Sequence, residues 1–135
     1  MKIKHNIGGS PGVTFNLPTT NKGDNSILEG KVLVDIYGLK CSRPVSFSKA
    51  ALTRLSSNAV SLYSSLKGNT LIESECKTFK FRASAGSTGN IKIEVAMKKY
   101  QFSQPNNAEW EASGIFYSDP ECLKWLIEIG NEIKS

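Results

Sequence analysis

Histidine is almost missing from this chain of 135 residues: His5 stands alone. Cysteine is scarce and unpatterned, since Cys41, Cys76 and Cys122 form no CxxC pair. An odd number of scattered thiols with one histidine argues against a disulfide framework and against a zinc site, and leads us to expect reduced thiols in a cytoplasmic protein. No apolar run reaches the ~18 residues that a membrane span needs. The N-terminus "MKIKHNIGGSPG" carries lysines without the apolar stretch of a signal peptide, so the whole chain is expected to be the mature, soluble protein.

Catalytic signatures are lacking as well. "AGSTGN" at 85–90 has no Gly-Lys-Ser/Thr ending and lies between two strand patterns, so it reads as a hairpin connection and not a phosphate loop. "GGSPG" is followed by no βαβ pattern that would bind a dinucleotide. A serine or cysteine nucleophile would need a base, and His5 sits close to the chain start. Glu73, Glu75, Glu109 and Glu111 have the i, i+2 spacing of one strand face, which fits solvated strand surfaces better than an acid–base pair. The chain is therefore expected to be no enzyme and to use no cofactor and no metal.

What is present is the material of one α+β domain spanning 1–135. Val13, Phe15 and Leu17 alternate with polar residues as a short strand, and "PTTNKGDN" at 18–25 reads as a loop. Alternation resumes in "SILEGKVLVDIYGL", where Leu28, Val32, Val34 and Ile36 share one parity; Ile27, Leu33 and Tyr37 fall on the other. The period then changes. Leu52, Leu55, Ala59, Leu62 and Leu66 recur at three and four, predicting a helix over 48–67 with Ser48 as N-cap and Gly68 ending it. A meander follows: Phe79, Phe81 and Ala83 in one strand, Ile91, Ile93, Val95 and Met97 in the next, a bulge near Lys98 and Lys99, and a returning strand with Trp110 and Phe116 on one parity. Asp119-Pro120-Glu121 opens a C-terminal amphipathic helix over 119–133, with Cys122, Leu126, Ile129 and Ile133 on its buried stripe and Trp125 at the rim. No internal repeat is visible. The expected architecture is a curved antiparallel sheet of six to seven strands, with the first helix packed on it and the second closing an end.

The meander carries the functional expectation. Placing residue 82 opposite 92 brings Arg82 against Lys92, a like-charge pair that destabilises unless an acidic group sits nearby. A net charge of +5 adds a general attraction to acidic surfaces, nucleic acid included. Lys80, Arg82, Lys92, Lys98 and Lys99 could form one patch, but the alternation sends Phe79 and Phe81 to the opposite face, where they cannot stack bases beside the cations.

In chain order, "ILEGKVLVDIYG", "LTRLSSNAVSLYSSLKGN", "STGNIKIEVAM" and "CLKWLIEIGNEI" resemble the framework of WapI-type and related bacterial toxin-immunity proteins, over roughly residues 26–133. The resemblance implies a cytoplasmic antitoxin that binds the C-terminal domain of its cognate toxin and blocks the active site or substrate path, with no catalytic residue of its own. Exposure patterns nominate Lys80, Arg82, Lys92 and Tyr37 as partner-binding residues, with Trp125 in reserve. The basic total departs from the acidic surfaces that inhibitors of nuclease toxins often present. A nucleic-acid-binding module using the 77–99 hairpin is the second reading, and a small ligand carrier or enzyme with its site inside the curved sheet is the third.

Overall fold

The computed structural model describes the backbone of residues 2–7, 12–18, 27–36, 39–101 and 104–134, and the side chains of 12–17, 27–36, 40–98 and 111–132. Tyr37, Phe102 and most of the 18–25 loop lie outside the described residues, as do the side chains of Tyr100, Glu109, Trp110 and Ile133.

The class is α+β, with eight strands and two helices among the described residues. Strands β1 (Lys2–Ile7), β2 (Gly12–Pro18), β3 (Ile27–Ile36) and β4 (Leu39–Ser48) form one antiparallel sheet in chain order. Helix α1 (Lys49–Ser65) follows. A second antiparallel sheet runs β5 (Asn69–Glu73), β6 (Phe79–Ala85), β7 (Ile91–Gln101) and β8 (Gln104–Ser118), succeeded by a 3-10 turn at Pro120–Cys122 and helix α2 (Leu123–Lys134). The expectation of one curved sheet of six to seven strands is thus corrected to two sheets of four. A backbone hydrogen bond, Glu75 N–H to the Ser46 carbonyl at 2.8 Å, ties the edge of the first sheet to the turn after β5. The chain also repeats a topology, four meandering strands and then a helix, that no sequence repeat announces.

The inward faces of the two sheets meet around four phenylalanines. Phe15 of β2 stacks on Phe47 of β4 at 5.9 Å between centroids and meets Phe79 and Phe81 of β6 edge-on at 5.9 and 5.6 Å. All four rings are buried, as are Val32, Ile91, Ile93 and Phe116. Edge-to-face geometry places a positive ring edge against a negative face, which adds about 0.5–1.5 kcal/mol per pair to area burial.

The helices complete this core. Ser48 caps α1, its Oγ accepting from Ala51 N–H at 3.0 Å, and Leu52, Leu55, Ala59 and Leu62 are buried as their spacing predicts. Leu66 leaves the stripe. It is the C-cap at φ 54°, its N–H bonded to the Leu62 carbonyl, so the chain turns left-handed two residues before Gly68 and Leu66 points to solvent. Thr70 Oγ1 donates to the Leu55 carbonyl at 2.8 Å and pins β5 beneath α1. Helix α2 crosses α1 closely: Ser56 Oγ donates to the Ile127 carbonyl at 2.9 Å, and a Cβ at Gly130 would stand 2.5 Å from Ser56 Cβ. Asp119 caps the 3-10 turn as expected, accepting from Glu121 N–H. Among the described residues no helix is long and apolar enough to cross a membrane.

Candidate functional site: the outer face of the second sheet

Alternation sends β6 and β7 residues of even number outward, so the register decides which of them are neighbours. The β6–β7 strands pair two residues away from the sequence expectation: Arg82 lies opposite Glu94, and Lys92 opposite Ser84. The predicted Arg82–Lys92 like-charge pair therefore does not form. The reason is the connection. Strand β6 extends to Ala85, which pairs with Ile91, and Gly86 N–H closes a five-residue loop onto the Asn90 carbonyl at 2.7 Å. A two-residue slip preserves every inward and outward assignment while changing every partner.

Four rows cross the outer face: Asn69, Ser84, Lys92 and Tyr117; Leu71, Arg82, Glu94 and Ile115; Glu73, Lys80, Ala96 and Ser113; and finally Lys98 opposite Glu111. Leu71, Ile115 and Tyr117 are exposed at 40, 50 and 61%, so three large apolar groups share one uncovered surface. Four cations (Lys80, Arg82, Lys92, Lys98) stand among three carboxylates (Glu73, Glu94, Glu111), nearly balanced despite the basic total. Lys92 Nζ holds Glu94 Oε1 at 3.5 Å. Among the described residues Arg82 and Lys80 make no ion pair, and Arg82 Nε is buried without a hydrogen-bond acceptor. A depression of about 430 Å³ opens above Ala96, lined by Lys80, Arg82, Glu94, Ser113 and Ile115. A second of about 240 Å³ adjoins it, sharing Lys80 and Ala96.

Of the nominated residues, the structure brings Lys80, Arg82 and Lys92 together on this face. Trp125, 44% exposed, sits on α2, which packs on α1 and β1 and belongs to a different surface. Sequence reading missed Leu71, Ile115 and Tyr117 as part of the site. The alternation of Ile115 and Tyr117 against Phe116 was a usable signal, since a strand with large apolar groups on both parities has either two covered faces or a sticky one.

The void between the sheets beside Cys41 and Met97 is about 10 Å³, room for one water at most. Among the described residues no three His, Cys, Asp or Glu side chains gather to hold a metal.

The thiols differ in environment. Burial pushes Cys76 up, but hydrogen bonds from Thr78, whose Oγ1 lies 3.0 Å from Sγ, and from Ser74 outweigh it and leave the thiol below its ordinary range. Burial pushes Cys122 up. Iodoacetamide at neutral pH should therefore alkylate exposed Cys76 first and buried Cys122 last, as read by peptide mass spectrometry; equal rates at the two would contradict this packing. No family model matches this chain, and neither does any curated protein or solved structure.

Proposed function

We propose that the chain is a non-enzymatic antitoxin that docks a bacterial toxin domain on the outer face of β5–β8 and so covers the toxin's active site or substrate path. The supporting observation is the composition of that face: Leu71, Ile115 and Tyr117 exposed together among nearly balanced charge. Interfaces between proteins combine desolvated apolar anchors with a charged rim that selects the partner. The immunity-protein resemblance of the framework segments supplies the kind of partner, and the site would sit in the cytoplasm where such toxins act.

Single-stranded nucleic acid is the second reading, favoured by Tyr117 lying directly opposite Lys92. It explains the face less well. A backbone of phosphates would have to pass Glu73, Glu94 and Glu111, and the aliphatic Leu71 and Ile115 offer no ring for a base to stack on.

Co-production of the C-terminal domain of any secreted protein encoded in a neighbouring reading frame tests the proposal. The native chain should restore growth, and a Leu71→Asp/Ile115→Asp double variant with an unchanged melting temperature should fail to. Leu33→Asp, at an exposed position on the other sheet, should still protect. Failure of the native chain, or equal protection by every variant, would overturn the proposal. A labelled 20-nucleotide strand bound tightly, and about 10³-fold more weakly as salt rises from 50 to 200 mM, would favour nucleic acid instead.

A further inference from the structure

Resting on that docking reading, we infer that the depression above Ala96 is an anchor pocket for one carboxylate side chain, Asp or Glu, of the partner protein, held between Lys80 and Arg82. Its shape comes from side-chain size. Ala96 and Ser113 face each other across β7 and β8 and are the smallest groups in the middle of this surface, while Lys80, Arg82 and Ile115 rise around them. A volume of about 430 Å³ takes an acidic side chain together with part of the segment that carries it.

The charges converge on the same occupant. Glu94 lines the depression as well, but Lys92 holds it at 3.5 Å and it makes no ion pair with Arg82, which faces it across the strands. Arg82, half-buried at the wall of the depression, makes no ion pair among the described residues, so its guanidinium charge is open to a partner. The guanidinium fork matches a carboxylate bidentately, and Lys80, exposed and without an ion pair, supplies a second cation on the same strand face. A single carboxylate fits where a polyanion does not, because Glu73, Glu94 and Glu111 ring the site. Ile115 and Leu71, at the ends of the row that holds Arg82, exclude water once the partner is seated.

Calorimetry with the purified toxin domain provides the test. Lys80→Glu and Arg82→Glu should each weaken binding roughly 30-fold or more, because each opposes a desolvated carboxylate with a like charge. Lys31→Glu, exposed on the first sheet, should change it by less than about threefold. Changing one acidic residue of the toxin domain to Arg should restore affinity for Arg82→Glu. Should Arg82→Glu melt early, exposed Lys80→Glu and the uncharged Arg82→Gln carry the test. Binding lost in Leu71→Asp/Ile115→Asp but untouched in the Lys80 and Arg82 variants would overturn the anchor and leave the docking face standing. Binding untouched in all of them would overturn both. If no acidic toxin residue compensates, and a bound oligonucleotide is instead released by Arg82→Glu, the occupant is a phosphate and the inference fails.

Discussion

Replacing Phe15 with alanine is expected to destabilise the protein by about 3–5 kcal/mol, the largest loss from a single truncation in this core. Phe15 is the one ring in contact with the three others, joining Phe47 of its own sheet to Phe79 and Phe81 of the facing one. Its removal subtracts the transfer free energy of a buried ring, three aromatic contacts and the material that separates two sheets. Those sheets cannot close the gap, because backbone hydrogen bonding fixes each of them. Urea denaturation measures the effect. A loss below about 1.5 kcal/mol would mean that the sheets collapse onto the void and that the cluster is not their joint.

Gly30→Ala is the second large effect, and its sign is decided by space. In an unstrained position such a change stabilises by about 0.4–1 kcal/mol, because it restricts the unfolded chain. Here the added Cβ would stand 2.3 Å from the Asn16 carbonyl oxygen and 3.0 Å from Leu17 Cα, both backbone atoms of the paired strand β2. The strands must separate where β2 brings Leu17 into the core, and a loss of roughly 1–3 kcal/mol follows. Thermal melting above that of the native protein would show that β2 can move aside, contrary to the packing described above.

These two positions also mark how far the sequence could be read. Phe15 was placed inward because Val13, Phe15 and Leu17 alternate cleanly, and the helices were legible because Ser48, Asp119 and Pro120 fix their starts. Strand β1 was not, since Lys2–Ile7 is short and interrupts its two isoleucines with charged or polar residues. Strand β4 was hidden by Arg43 on its inward parity and Pro44 on its outward one. Proline has no N–H to give a ladder, and it is tolerated because β4 is the edge of its sheet. With two strands unseen, the division into two sheets and the repeated meander-then-helix topology could not be reached.

The site was legible in parts. Alternation placed Lys80, Arg82 and Lys92 outward, correctly, but period-two patterning cannot distinguish registers that differ by two residues. The like-charge pairing of Arg82 with Lys92 fell at that point. What replaced it, an arginine with an orphaned Nε beside a depression, depends on which residues are small at the centre of the face. That is visible only once β7 and β8 are aligned.

The central claim is that the outer face of β5–β8 is the surface the partner covers. Its most direct test introduces one cysteine at a time into a Cys41→Ser/Cys76→Ser background that keeps only buried Cys122: Ser113→Cys on this face and Ser42→Cys on the outer face of the first sheet, both at exposed positions. Maleimide labelling is then followed with and without an equimolar toxin domain. We predict that the thiol at position 113 becomes protected in the complex while that at 42 reacts as before. Protection at 42 alone, or unchanged labelling at both in a complex shown to have formed, would contradict the assignment.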